Sequence, residues 1–211
     1  MRVTLLSESP ADEAAVRILV EAVLGEPVEL APARSRRAGG IDGALSILGP
    51  VLKSLHYLRH AEALVVVVDS NSSPVHTGPT DRPCANAARC RLCRTRSLIA
   101  EVRDSLTPVP GQGPIRTAVG LAVPAIEAWY LCGREPNVSE NAWAQGMRED
   151  RLPYTKSQLK KQVYGSERYS LAMETRRATD QMRRVAGDLG LLERKFPVGF
   201  GSLASDLRGW S

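Results

Sequence analysis

The sequence predicts an α/β fold in which a mostly parallel sheet is flanked by helices. Short apolar segments alternate with segments of helical periodicity, which is the order that successive βαβ units produce. The valine-rich run at 63–68 shows no polar alternation, as expected of a parallel strand that is buried on both faces. A chain of 211 residues, 43% of them hydrophobic, can bury a substantial core, and one main domain is the default.

The first strand and helix have clear terminal signals. Residues 2–6 form a short apolar strand. Ser9 suits the N-cap of the following helix, Pro10 its first position and Gly25 its C-terminal stop. Between these signals, apolar residues recur at helical spacing at Val16, Leu19, Val20, Val23 and Leu24. This spacing predicts an amphipathic helix with one buried face.

The remaining elements follow in the same alternation. The sequence predicts a brief strand at 28–30, a loop rich in glycine and arginine at 33–43, a helix over 44–59, a strand at 63–69, a helix over 95–106, a strand near 116–123 and a helix from 124. Helical connections between strands favour right-handed crossovers in a parallel sheet. We assign 1–135 to the α/β domain, with a Cys-rich insertion at 70–94, and 136–211 to a helical C-terminal extension packed on it.

Composition narrows the classes of partner. The net charge of +5 is compatible with a polyanion such as nucleic acid, because basic side chains that neutralise phosphates release counterions. Aromatic residues are only 5% of the chain, which argues against a base-stacking platform. The longest continuous apolar run is too short to cross a bilayer, and the N-terminus enters a strand directly. We therefore expect a cytoplasmic protein without membrane attachment.

Four basic residues are candidates for nucleic-acid binding. Arg36 and Arg37 lie in the loop rich in glycine and arginine, and Lys156 and Lys160 lie one helical turn apart in the C-terminal part. Such residues could contact phosphates. The competing interpretation is a solvated helix face or loop, which is the usual role of a basic cluster.

Two acidic residues lie where the first and third predicted strands end. Glu8 follows the first strand, and Asp69 closes the valine-rich strand. Because the carboxyl ends of parallel strands meet at one edge of the sheet, the two side chains are expected to converge there. Carboxylate oxygens are the ligands that Mg²⁺ and Mn²⁺ prefer. The alternative is that Glu8 and Asp69 only cap the following helix and loop.

These motifs resemble a known family. The segment 5–15 around Glu8 resembles the N-terminal glutamate motif of TOPRIM domains, which occur in topoisomerases, primases and nucleases of the overcoming-lysogenization-defect class. The segment 65–73 stands where that family has Asp-x-Asp. The segments 124–131 and 200–207 are similar to the bacterial TOPRIM-like family labelled domain of unknown function 4276. The resemblance implies a Rossmann-like sheet and metal-dependent phosphodiester chemistry.

The resemblance also implies roles for individual residues. Glu8 would act as acid or base near the scissile phosphate, and Asp69 would bind the metal. Asn71 stands in place of the second aspartate, which leaves a neutral and weaker oxygen ligand. A further acid would then be needed. We take Glu8, Asp69 and Glu127 as catalytic candidates, and the same three residues with Asn71 as candidate Mg²⁺ or Mn²⁺ ligands.

Three acids could supply the missing charge. Glu127 is the best candidate, because it follows another predicted strand end, and Asp12 or Glu13 is the alternative. A purely structural role for Glu127 is equally open, since an acid in the first turn of a helix interacts favourably with the helix dipole.

The cysteines of the insertion have the spacing of a zinc site. Cys84, Cys90 and Cys93 lie within ten residues, and a Cys-x-x-Cys pair can chelate a tetrahedral ion. The fourth ligand could be His76 or Cys132, and the sequence leaves both open. The competing interpretation is a redox pair or free thiols, since a structural disulfide is unusual in a reducing cytosol.

The resemblance implies a metal-dependent nuclease that acts on DNA or RNA, working with a separate ATPase in phage defence as similar families do. The sequence contains no Walker motif, so any use of ATP would require a partner. The alternative is a non-catalytic nucleic-acid-binding or adaptor protein on a TOPRIM-like fold, in which Asn71 marks a degraded metal site. The choice between DNA and RNA, and the formation of a homodimer, are left open.

Overall fold

The computed structural model describes residues 1–31, 40–166 and 169–210 and has an α/β architecture. The strands are β1 (Arg2–Leu6), β2 (Glu29–Leu30), β3 (Ala63–Asp69) and β4 (Arg116–Ala122). The helices are α1 (Pro10–Leu24), α2 (Gly40–Leu58), α3 (Arg91–Asp104), α4 (Ile126–Tyr130), α5 (Glu140–Arg148), α6 (Lys156–Tyr164), α7 (Leu171–Ala186), α8 (Leu189–Lys195) and α9 (Gly199–Arg208). Most of the predicted loop at 33–43 lies outside the described residues.

The strands that the structure describes form one sheet in the order β2-β1-β3-β4, and every pairing is parallel. β1 and β3 are neighbours, with Val3 opposite Ala63 and Leu6 opposite Val66. β3 also pairs with β4 along its full length, and its residues 63–68 are buried. The predicted parallel sheet is confirmed, and the arrangement is consistent with a Rossmann-like fold.

The first helix has the predicted termini. The Ser9 hydroxyl accepts a hydrogen bond from the Asp12 backbone N–H at 3.1 Å, so Ser9 is the N-cap. Gly25 has φ of +71°, in the left-handed region that glycine adopts most easily, and its N–H donates to the Glu21 carbonyl. Because of these local signals, α1 begins directly after Glu8 and Ser9.

α2 begins at Gly40, four residues before the predicted start at 44, and two later helices also begin elsewhere than predicted. α3 begins at Arg91, four residues before the predicted start at 95, because Cys90 has an extended backbone and serves as its N-cap. α4 begins at Ile126 instead of 124, since Ala125 is extended, with φ of −153° and ψ of 164°. Both starts follow loops whose conformation depends on tertiary contacts rather than on sequence periodicity.

Residues from both ends of the chain form one hydrophobic core. Leu19, Trp129 and Phe200 belong to the same buried cluster, with α7 packed on α1 and α9 packed on β4. Trp129, Tyr130, Trp143 and Trp210 are also buried in this core. Among the described helices, none has both the length and the apolar character needed to cross a membrane.

Side chains of α9 cover the free edge of β4. The Ser202 hydroxyl donates to the Val119 carbonyl at 3.1 Å, and the Val119 N–H donates to the Asp206 carboxylate at 2.9 Å. Arg96 of α3 donates to the same carboxylate at 2.8 Å. An uncovered edge strand has unpaired N–H and C=O groups, which can pair with a strand of another chain. The segment 200–207, which contributes to the family resemblance, therefore has a structural role at the sheet edge.

We predict that Gly199→Ala lowers the free energy of unfolding by about 3 kcal/mol, because a bulkier side chain must displace α9 from β4. A Cβ at Gly199 would lie 2.0 Å from the Leu121 carbonyl oxygen. Gly201, in the same helix, is the control, since a Cβ there would meet only the Phe196 carbonyl oxygen, at 3.8 Å. Gly201→Ala should change stability by less than about 1 kcal/mol. Urea unfolding followed by circular dichroism measures both, and equal effects would contradict the prediction.

Candidate metal sites

The ends of β1 and β3 bring Glu8 and Asp69 together. The Glu8 Oε1 atom accepts a hydrogen bond from the Asp69 backbone N–H at 3.3 Å. The Asp69 Oδ1 atom accepts from the backbone N–H of Ile126, at the start of α4, at 3.0 Å. The Glu8 carboxylate thus lies against the Asp69 backbone, and the Asp69 carboxylate is only one short side chain away from it. This spacing is short enough for both to act at one centre.

Two further carboxyl groups lie beside this pair, and each is held by a tyrosine. Glu127 on α4 is 3% exposed, and its Oε1 atom lies 3.4 Å from the Tyr164 hydroxyl. The Tyr130 hydroxyl donates to Asp12 Oδ1 at 3.2 Å. Both carboxyl groups are close enough to Asp69 to feel its charge. We call Glu8, Asp12, Asp69 and Glu127 the acidic site.

Burial and mutual repulsion raise the pKa values of carboxyl groups in the acidic site. Burial, with the charge of Asp69, raises the pKa of Glu127 to about 7 and that of Asp12 to about 8. The same two causes raise the pKa of Glu8. Desolvation and like charges both disfavour ionised carboxylates, and either a proton or a cation relieves this cost. Titratable side chains whose pKa is strongly shifted occur more often at functional sites than elsewhere in proteins.

The raised pKa of Asp12 predicts a pH-dependent stability. Because its folded-state value of about 8 exceeds its ordinary 3.8, the folded protein binds more protons between these values, and stability falls as pH rises through about 8. Asp12→Asn abolishes this titration. Relative to wild type, the variant should gain at least about 2 kcal/mol between about pH 5 and pH 9, measured by urea unfolding without divalent metal. A difference that does not change with pH would contradict the expectation.

Two lysines of α6 reach into the acidic site. Lys156 Nζ donates to Asp69 Oδ2 at 2.8 Å and also to Asn71 Oδ1. Lys160 Nζ lies 3.8 Å from Glu127 Oε1. The sequence suggested that Lys156 and Lys160 bind nucleic acid, and the structure places both against carboxylates. Arg36 and Arg37, the other two candidates for this role, lie outside the described residues.

The backbone conformation at position 71 favours asparagine, and the side chain also takes part in the contacts at Asp69. Its φ is +51°, in the left-handed region that asparagine tolerates better than most residues. Its N–H donates to the Pro124 carbonyl at 2.8 Å. This turn presents the amide oxygen beside Asp69, where Lys156 binds both.

The three neighbouring cysteines meet His76 in a second site. His76 Nδ1 lies 3.3 Å from Cys93 Sγ and 3.7 Å from Cys90 Sγ, and Cys93 Sγ lies 3.6 Å from Cys84 Sγ. All four ligand atoms are within 4.8 Å of one another and belong to buried residues. Tetrahedral zinc with bonds of about 2.0–2.3 Å places neighbouring ligand atoms about 3.4–3.8 Å apart. The cluster could therefore bind a metal such as zinc.

The fourth ligand position belongs to His76 rather than to Cys132. His76 Nε2 lies 3.2 Å from the Pro79 carbonyl oxygen, which selects the tautomer with hydrogen on Nε2 and leaves Nδ1 free to bind. Cys132 is outside the cluster, and its carbonyl accepts a hydrogen bond from Arg184 at 2.8 Å. We call His76, Cys84, Cys90 and Cys93 the cysteine site.

No protein-family model, curated protein or solved structure matches this chain. What the acidic site and the cysteine site can bind is therefore inferred from their own atoms. The acidic site offers hard oxygen ligands, which suit Mg²⁺ or Mn²⁺, whereas thiolates and imidazole suit zinc.

Arg91 lies between the two sites. Its Nη1 atom donates to the Asp69 carbonyl at 2.7 Å and lies 3.8 Å from Glu8 Oε1. In the sequence, Arg91 is one of several arginines near the cysteines, and its contacts with Glu8 and Asp69 were not predicted. The available signal was its position directly after Cys90, at the start of a helix that follows the central strand.

Proposed function

We propose that this protein is a metal-dependent nuclease of TOPRIM-like type, which cleaves phosphodiester bonds of DNA or RNA at the acidic site. The observation that best supports this proposal is the concentration of four carboxyl groups at the carboxyl edge of the sheet. In the part of the chain that the structure describes, the positively charged side chains beside these carboxyl groups are Arg91, Lys156 and Lys160. Because burial and the charge of Asp69 raise the pKa values of Glu8, Asp12 and Glu127, a divalent cation would relieve the remaining repulsion.

The oxygen atoms of the site fit a divalent ion. Asp69 Oδ2 and Asn71 Oδ1 already share one cation, the Lys156 ammonium. Mg²⁺ binds few protein ligands and keeps several waters, so these two oxygens with Glu8 or Glu127 nearby would suffice. When bound, such an ion polarises a phosphoryl oxygen and lowers the pKa of a coordinated water.

The residues of the chain would supply the remaining chemistry. Glu8 has a pKa raised by burial and by Asp69, which suits a group that takes a proton from the attacking water or gives one to the leaving oxygen. The displaced Lys156 would offer positive charge to the phosphate as charge develops on it. The Ile126 N–H fixes the Asp69 carboxylate, which would keep the reacting groups in a constant position relative to each other.

We expect the nucleic acid to bind in a cleft that is lined in part by basic side chains. Its volume is about 430 Å³, and Ser72, directly after Asn71, is one of its lining residues. Arg89 and Arg148 line it together with Asn86 and with apolar side chains such as Val75 and Met147. Basic side chains in a cleft attract phosphates without regard to sequence. The cleft would thus lead a nucleic-acid strand to Asp69.

A cleavage assay tests the proposal. Wild type, Asp69→Asn and a control, Asp180→Asn on the exposed face of α7, are incubated with plasmid, single-stranded DNA and RNA in Mg²⁺ or Mn²⁺. We expect wild type and the control to cleave at least one substrate, and Asp69→Asn to be at least about 100-fold slower. Cleavage that survives Asp69→Asn at the wild-type rate would disprove the assignment of the site.

A non-catalytic nucleic-acid-binding protein on the same fold is the second candidate, and Lys156 is the observation that favours it. The ammonium neutralises Asp69 without a metal, and Asn71 contributes no charge of its own. In such a protein the acidic site would be a buried ion-pair network that binds no divalent ion. The nucleic acid would be held by basic side chains alone.

Lys156→Met separates the two candidates. In the nuclease, loss of the competing ammonium should tighten Mn²⁺ binding about tenfold, which corresponds to about 1.4 kcal/mol. In the adaptor, Mn²⁺ should not bind, and loss of the charged hydrogen bonds should cost about 1–3 kcal/mol of stability. Isothermal calorimetry measures the affinity. Lys53→Met, at an exposed position on α2, is the control and should change neither quantity.

A further inference from the structure

The segment between β3 and α3 depends on the cysteine site for its buried contacts. Within residues 71–90, the buried side chains are His76, Cys84 and Cys90, and all three belong to that site. The other side chains of this segment are partly or fully exposed, and among them Val75 and Ala87 pack against the hydrophobic core. Apolar burial therefore contributes little to its order. A bound metal would be the main interaction that fixes its conformation, as in small zinc-dependent modules.

The first turn of α3 is built into the cysteine site. Cys90 is the N-cap of α3, and its side chain makes no capping hydrogen bond. Its sulfur instead lies 3.7 Å from His76 Nδ1. Cys93 follows in the first turn, so ligands stand on both sides of Arg91. Metal binding would thus fix the backbone immediately before and after this arginine.

The side chain of Arg91 extends from this turn to the acidic site. It donates to the Asp69 carbonyl at 2.7 Å and lies 3.8 Å from Glu8 Oε1. Only 15% of the side chain is exposed, so little room is left for another position. The Asp69 N–H in turn binds the Glu8 carboxylate. One arginine therefore contacts both of the strand ends that bear the acidic pair.

We propose that Arg91 is a positioning residue that couples the cysteine site to the acidic site. Metal at the cysteine site fixes the first turn of α3, and Arg91 then holds Glu8 and Asp69 at their observed separation. Loss of that metal frees the turn and loosens the acidic pair. By linkage, a ligand that orders the acidic pair also strengthens metal retention by the cysteines.

Amide hydrogen exchange followed by NMR tests the coupling. The reporter amides are Asp69, bound to Glu8 at 3.3 Å, and Asn71, bound to the Pro124 carbonyl at 2.8 Å. Arg91→Gln should leave the zinc content unchanged and speed exchange at Asp69 by at least about tenfold. Zinc-depleted wild type should show the same change. Cys132→Ser, which removes a buried cysteine outside the cysteine site, should leave both amides and the zinc content as in wild type.

Each outcome decides the proposal. Unchanged exchange at Asp69 in zinc-loaded Arg91→Gln would overturn it, and so would unchanged exchange in zinc-depleted wild type that stays folded. Wild-type protein that retains no zinc would overturn it as well. If zinc depletion unfolds the whole chain, Arg91→Gln alone decides. A second readout, weaker Mn²⁺ binding by zinc-depleted than by zinc-loaded wild type, rests on the proposed function. Wild type that binds no Mn²⁺ would refute that function, whereas the exchange result would still decide the coupling.

Discussion

Cys93→Ser is expected to prevent zinc binding at the cysteine site and to lower the melting temperature by about 10 °C. Cys93 is central to the cysteine site, because its sulfur contacts both His76 Nδ1, at 3.3 Å, and Cys84 Sγ, at 3.6 Å. Free energy of metal binding is stabilisation of the folded state when the unfolded chain offers no preformed site. A loss of about 3–5 kcal/mol corresponds to about 10 °C in a chain of this size. Native mass spectrometry and differential scanning calorimetry measure the two quantities.

The matched control for this variant is Cys132→Ser. Cys132 is also buried and free, and it lies outside the cysteine site. It should retain one zinc per chain and melt close to wild type, apart from the cost of burying a hydroxyl, about 1–3 kcal/mol. Zinc retained by Cys93→Ser, or a melting temperature no lower than that of Cys132→Ser, would contradict the assignment.

If the proposed nuclease function is right, Glu8→Gln is expected to slow cleavage by at least about 100-fold with little change in fold. The glutamine oxygen can still accept the hydrogen bond that Glu8 Oε1 accepts from the Asp69 N–H at 3.3 Å. An amide cannot exchange a proton with water or a leaving oxygen, and general acid–base catalysis contributes about 100- to 10,000-fold. Single-turnover cleavage on the substrate that wild type cuts best measures the rate.

The control for Glu8→Gln is Glu26→Gln, at an exposed position beyond α1. It should cleave at the wild-type rate. Equal rates for Glu8→Gln and wild type would remove Glu8 from the chemistry and leave it a structural acceptor for Asp69. A fall in rate that comes with unfolding, detected by circular dichroism, would show a structural role instead of a catalytic one.

Much of the fold could be predicted because its signals are local. Ser9 and Gly25 mark the ends of α1 through their own side chain and backbone preferences. The buried run at 63–68 predicts the central strand. The start of α3 could not be predicted in this way. Its first turn contains Arg91 and Arg94 with no apolar period, and Cys90 begins the helix where the cysteine site fixes the backbone.

The acids of this site could be predicted from the sequence, whereas its contacts with Arg91 and Lys156 could not. Parallel strands end at one edge, so Glu8 and Asp69 could be expected to meet. Lys156 lies 87 residues from Asp69 in the chain, and its contact depends on how α6 packs. No periodicity or spacing encodes such a contact. The roles of Arg91 and Lys156 follow from tertiary packing alone.

Calorimetric titration of Mn²⁺ into zinc-loaded protein tests most directly whether the acidic site is a divalent-metal centre. Wild type should bind Mn²⁺ stoichiometrically, because Asp69 Oδ2 and Asn71 Oδ1 already share one cation, the Lys156 ammonium, in a cluster of carboxyl groups with raised pKa values. Asp69→Asn should bind at least about 100-fold more weakly, as loss of a charged ligand requires. Wild type that binds no Mn²⁺, or binding that is equally tight in Asp69→Asn, would contradict the metal centre and with it the proposed nuclease.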